Sequence, residues 1–313
     1  MKGLEISKRF YQEFGEPMLR EKFAGLLPFL AVGLVGAGSE CFGYDDELSR
    51  DHDFEPGFCI FVPDEEVIGR KALFELERAY AYLPKEFEGV ERPAIAPVGG
   101  RRRGVINTGD FYFDRIGRRS GFENDADWFG VPDFYLAEAT NGEVFFDGYG
   151  EFTRIRNSLL ETPENVRLKK LAGHLLLSAQ SGQYNYTRCI KHGERAAAQL
   201  AASEFVREIT ACMFLLEKRH MPYYKWSFRA LSELKTFSEQ YDRLEFLISS
   251  QNDGDLPQIK AEVIGDVSAA VARELAAEGL STVRDDFLEA HAYEVNKMIS
   301  DPAIREQNIL FAV

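Results

Sequence analysis

The residues of this chain best suited to chemistry lie between positions 38 and 53. Gly38-Ser39 follows an apolar run (29–36), and after eleven intervening residues Asp51-His52-Asp53 leads into a second run (58–62). Side chains alternate faces along extended backbone, so Asp51 and Asp53 project together while His52 turns away. At ~3.3 Å rise per residue the two carboxylates stand roughly 7 Å apart along the chain, close enough to converge on one hard cation. Mg2+ takes oxygen ligands and keeps positions for water and phosphate. A glycine followed by a serine at a strand end lets the backbone approach an anion closely, and the hydroxyl adds a donor. Together these groups are equipment for phosphoryl or nucleotidyl transfer from a triphosphate. An Asp-x-Asp by itself also marks solvated turns; its place between a Gly-Ser bend and a second strand favours the metal reading.

Such groups need a sheet to hold them. In 1–150, short apolar runs at 29–36, 58–63, 94–104 and 143–146 alternate with glycine- and proline-bearing turns, and the spacing predicts a helix over 65–82. That mixture gives an α/β or α+β first domain over 1–150. From 151 to 313 apolar residues recur at three- and four-residue spacing, predicting helices over 165–180, 194–220, 224–234, 239–248, 256–278 and 283–299. Pro222, 252–254 and Gly279 punctuate them, so the second domain is expected to be a helical bundle. The stretch 23–39 has no Asp, Glu, Lys or Arg, but Pro28 and four glycines break it, and a short buried strand explains it better than a membrane span.

The charge balance narrows the partners. With 51 acidic against 37 basic residues the net charge is −14, which repels nucleic acid and anionic membranes. A small polyphosphate remains compatible if a divalent cation screens it. Cys41, Cys59, Cys189 and Cys212 lack any C-x-x-C spacing, which argues against zinc and suits a reducing, cytoplasmic location. Lys2, Glu5, Lys8 and Arg9 alternate with apolar residues, an amphipathic opening unlike a signal peptide.

Gly38, Ser39, Asp51 and Asp53 match position by position the signature of the DNA polymerase beta-like nucleotidyltransferase superfamily, which this chain resembles. The resemblance is nearest to an uncharacterised bacterial domain-of-unknown-function branch, through Tyr44-Asp45-Asp46, Ser49-Arg-Asp-His-Asp53, Asn141-Gly-Glu-Val-Phe-Phe-Asp-Gly148, Gln180-Ser-Gly-Gln-Tyr-Asn-Tyr-Thr-Arg188 and Pro222-Tyr-Tyr-Lys-Trp226. It implies an α+β fold: a small mixed sheet with flanking helices, then a bundle like that of aminoglycoside nucleotidyltransferases. It also implies a Mg2+-dependent transfer of a nucleoside monophosphate, ATP being the default donor, to a hydroxyl of a small molecule or protein. Asp51 and Asp53 would hold the metal, with Gly38 and Ser39 on the phosphates. Active members take a third carboxylate from a later strand, and 103–108 carries none. Asp110 and Asp147 are the alternatives; Asp110 is also a suitable helix cap and Asp147 a turn residue. Without a base, the chain would bind a nucleotide without turning it over. An antitoxin-like nucleotidyltransferase acting on a partner protein is a further alternative.

Other residues have weaker chemistry. Lys225, at a helix start, could serve a triphosphate as a point charge, or be a surface lysine beside a core Trp226. Gln183, Tyr184, Asn185 and Arg188 could touch a nucleotide or acceptor, or simply satisfy a helix junction. Arg188 and His192 resemble the Arg–His pair of HEPN-type ribonucleases, with too short a gap. Arg101, Arg102 and Arg103 could receive phosphate but read first as a solvated turn, as do Asp45, Asp46 and Glu47. Glu55 shares the expected face of Asp51 and Asp53. The segment 256–313, with Ala269, Ala270, Ala272, Ala276 and Ala277 as a close-packing stripe, reads as architectural.

Overall fold

A computed structural model describes residues 1–48, 55–92 and 102–313. The fold is α+β, and the chain divides into two compact units. Met1–Glu123 with Val131–Leu160 forms one, and Asn124–Gly130 with Glu161–Val313 the other.

The first unit is built on a four-stranded sheet of β1 (Ala31–Leu34), β2 (Cys59–Val62), β3 (Gly104–Asn107) and β4 (Glu143–Asp147), in the order β3-β2-β1-β4. Every residue of β1 and β2 is buried, as continuous apolar strands in mid-sheet must be. β1 runs antiparallel to both β2 and β4, while β3 runs parallel to β2. The end of β1 therefore lies beside the starts of the other three strands, with Gly33 opposite Cys59, Cys59 opposite Gly104, and Leu34 opposite Glu143. This arrangement decides which residues can meet.

Both faces are covered by aromatic clusters. Phe10 of α1 (Gly3–Phe10) meets Phe58, and the Tyr80 ring meets Phe58 edge-on. The Tyr80 hydroxyl donates to the Phe58 carbonyl and accepts its N–H, and burial holds its pKa well above the usual phenol value. Phe61, on the opposite face by alternation, stacks on Phe152 and meets Phe111 edge-on. The helix expected over 65–82 is two pieces, Glu65–Ile68 and Arg70–Ala81, because Gly69 between them adopts φ +80°. Segment 23–39 contains a short 3-10 turn (Leu27–Phe29) and then β1, and no helix among the described residues is long and apolar enough to cross a membrane.

The second unit is helical. Its main elements are Glu164–Ser178, Arg195–Leu216, Tyr224–Leu231, Tyr241–Ser249, Leu256–Ala277 and Leu288–Lys297. The first of these widens into π-helical turns over Ala179–Tyr186, where Gly182 lies so close to the Phe205 ring that a Cβ would overlap it. The alanine stripe is only half as expected: Ala270 and Ala272 are buried, but Ala276 and Ala277 are exposed, and Ile264, Val267, Val271 and Leu275 make the buried face. Two lysines lie fully buried on neutral acceptors. Lys169 donates to Asn296 Oδ1 and the carbonyls of Arg305 and Gln307; Lys260 donates to Gln199 Oε1 and the Ser250 carbonyl. Desolvation lowers the pKa of both.

Candidate functional site

The end of β1 opens into a bend that only glycine builds easily. Gly36 has φ +107° and Gly38 φ +127°, conformations that cost a side chain steric strain. Gly38 caps the single helical turn Ser39–Phe42. The bend is gripped from the residues just before β4: Asn141 Oδ1 accepts the Gly36 N–H at 2.8 Å, and Asn141 Nδ2 donates to the Gly36 carbonyl at 2.7 Å. Next to it, the Gly142 N–H donates to the Cys41 carbonyl at 2.9 Å, and a Cβ on Gly142 would overlap the Leu34 carbonyl oxygen. The Asn141-Gly142 block is thus a clamp on the Gly-Ser bend. Replacing Asn141 by Ala leaves a buried N–H and a C=O of Gly36 unpaired, an expected loss of about 2–3 kcal/mol. Denaturant unfolding checks this, and an unchanged midpoint would mean that Asn141 does not hold the bend.

Charged groups converge on the same end because three strands start there. Arg103, just before β3, is buried; its Nη2 donates to Glu40 Oε1 at 2.8 Å, and its Nε lies 3.3 Å from Glu55 Oε1. One guanidinium therefore ties the residue after Ser39 to the segment entering β2. Glu40 folds back under the bend, so that a Cβ on Gly38 would lie 2.5 Å from its Oε1. Burial is the largest single influence and opposes the charge on Arg103, but Glu40, Cys41, Cys59 and Glu55 together outweigh it and raise its pKa. Arg115 lies in the last turn of the helix Thr108–Ile116, which runs back from the far end of β3 to this end of the sheet. Its Nε is 3.8 Å from Glu138 Oε2. Cys41 and Cys59 are buried nearby, and burial pushes the Cys41 thiol well up and that of Cys59 to about 11, so both stay protonated.

Of the residues singled out in the sequence, Gly38 and Ser39 form this bend. Asp51, His52 and Asp53 lie outside the described residues, as does Arg101. Arg103 is no solvated turn residue but the buried strut just described. Nor is Asp45 solvated: it is buried, and its Oδ2 accepts the Gly3 N–H at 2.8 Å. Asp110 is not the cap of its helix; Asn107 is, accepting the Asp110 N–H. The Asp110 carboxylate instead pairs with Arg119, which also binds Asp64. These groups follow the last residues of β2 and β3, at the opposite end of the sheet from Ser39. Asp147 is at that opposite end too, paired with Ala31 in the register. Its two oxygens accept the N–H groups of Gly150 and Thr153, capping the next helix (Glu151–Ser158). Neither carboxylate is placed to serve the bend. Among the described residues no group of three or more His, Cys, Asp or Glu side chains is arranged to hold a metal.

The remaining candidates belong to the helical unit. Lys225 is exposed, with its Nζ 4.8 Å from the Trp226 ring centroid; Trp226 is half-buried, and Arg229 also lies over its ring. Arg188 is exposed, donates to the Tyr184 hydroxyl at 3.0 Å, and lies over the Tyr184 ring. Gln183 spends both ends of its amide on the segment before Leu288–Lys297, donating to the Asp286 carbonyl and accepting the Leu288 N–H. His192 is an exposed residue closing the short helix Thr187–Lys191. Sequence reasoning missed Glu40, Arg115 and the role of Asn141. An Asn-Gly directly before an apolar run could have flagged the clamp; nothing local marks the other two.

Residues 128–227 match a family model described as Domain of unknown function (DUF4037). The match covers about a third of the chain. It includes the Asn141-Gly142 clamp, the π-helical segment and Lys225-Trp226, but not the stretch from Gly38 to Asp53. No curated protein and no solved structure matches the chain.

Proposed function

We propose that this protein is a Mg2+-dependent nucleotidyltransferase of the DNA polymerase beta-like kind, on an uncharacterised branch with a helical second domain. The observation that carries the reading is the clamped Gly36–Ser39 bend at the end of a buried strand. It lies at the sheet end where β2 begins, and the segment leading into β2 contains Asp51 and Asp53. Backbone N–H groups of the bend and the Ser39 hydroxyl would bind phosphate oxygens of a nucleoside triphosphate, ATP in the first instance. Asp51 and Asp53 supply the hard oxygen donors that suit Mg2+, which when bound neutralises the triphosphate charge. An acceptor hydroxyl on a small molecule or protein forms a bond to the α-phosphorus as the bond to pyrophosphate breaks, and the hydroxyl proton leaves to a base or water. Four free cysteines, three of them buried, suit a cytoplasmic setting.

A second reading is favoured by one observation: β3 carries no acid, and Arg103 stands at its start, bound to Glu40 and Glu55. On this reading the protein binds a nucleotide and regulates a partner without transfer. Calorimetry with ATP in Mg2+ and then in EDTA tests the shared premise, with Mg2+-dependent binding expected. A pyrophosphate-release screen over hydroxyl acceptors separates the two readings: release supports transfer, and binding without release supports the regulatory role.

A further inference from the structure

We propose that Arg115 is a second phosphate-contacting group of this site, presented to the Gly36–Ser39 bend by the last turn of its helix. The inference rests on the phosphate reading of that bend.

Arg115 is held in place by its own helix and is left with unused donors. Its guanidinium lies 3.9 Å from the Phe111 ring centroid, and Nη1 donates to the Phe111 carbonyl at 2.9 Å. Nη2 is directed at the bend: it is the atom nearest a Cβ built on Gly36, at 2.7 Å. Gly36 must be glycine there both for that approach and for its positive φ. Among the described residues neither Nε nor Nη2 has a hydrogen-bond acceptor, and Nε is buried. Among the described residues the carboxylate paired with it, Glu138, stands 3.8 Å from Nε, beyond hydrogen-bond length.

The contrast with Arg103 gives these open donors their meaning. Arg103 faces Glu40 and Glu55 at this end and is spent on them. Arg115 keeps its Nη2 donors open beside a glycine bend, a charged N–H edge suited to a phosphate oxygen. Desolvation lowers the Arg115 pKa more than Glu138 raises it, as expected of a cation whose counter-charge is incomplete. A phosphate oxygen on Nη2 would complete it.

Calorimetry in Mg2+ with two probes, ATP and inorganic pyrophosphate, tests the assignment on wild type, Arg115→Met and Arg115→Lys. Wild type should bind both probes. The Met variant should weaken both by about tenfold or more, the loss of one charge-assisted contact. The Lys variant should fall between, because it restores charge without the fork. Should the Met variant melt far below wild type, the Lys variant decides. A threefold or greater loss at an unchanged melting temperature supports the assignment, and wild-type affinity overturns it. Binding of both probes by Arg115→Met as tightly as by wild type overturns the role of Arg115 and leaves the phosphate reading standing. A wild type that binds neither probe removes that reading, and Arg115 with it.

Discussion

Replacing both Asp51 and Asp53 by Asn should abolish Mg2+-dependent triphosphate binding, with affinity falling by at least about 100-fold. Asparagine keeps the shape of aspartate but removes the anionic oxygens that a hard cation needs. Changes one shell further from a metal already cost about 10–100-fold, so loss of two ligands should exceed that range. Calorimetry with ATP measures the effect, with EDTA-treated wild type as reference. The double variant in Mg2+ and the wild type in EDTA should behave alike. Equal affinity of variant and wild type in Mg2+ would remove both residues from the metal assignment.

Arg103→Met should destabilise the first unit by about 3–5 kcal/mol, the usual result of removing one member of a buried ion pair. Arg103 and Glu40 side chains are each 6% exposed, so the Glu40 carboxylate left behind is poorly reached by water. The penalty belongs mostly to that stranded charge and not to the attraction lost. Adding Glu40→Gln to Arg103→Met should therefore recover a large part of the loss. Denaturant unfolding of the two single variants and the double variant measures the coupling. If the double variant is as unstable as the two losses summed, the strut is not a unit. The same strut links the residue beside Ser39 to the segment entering β2, so Arg103→Met should also speed amide exchange at 36–42.

The strands and helices were largely legible in the amino-acid order because their signals are local. Apolar runs between glycines mark β1 and β2, and three- and four-residue spacing marks the long helices of the second unit within a few residues. The Gly38-Ser39 bend was legible for the same reason: a positive-φ glycine after a buried strand is a short-range demand of the backbone. The partners of that bend were not. Arg103 reads from its neighbours as part of a solvated basic turn, yet the parallel pairing of β3 with β2 buries it against Glu40. Asp110 and Asp147 read as possible third carboxylates, yet strand direction sends both to the opposite end of the sheet, where each caps or pairs. Asn141 and Arg115 reach the bend only because β4 starts, and the helix after β3 ends, beside the end of β1. Local periodicity determines what each segment becomes. Strand order and direction, set by long-range pairing and burial, decide which side chains share a site.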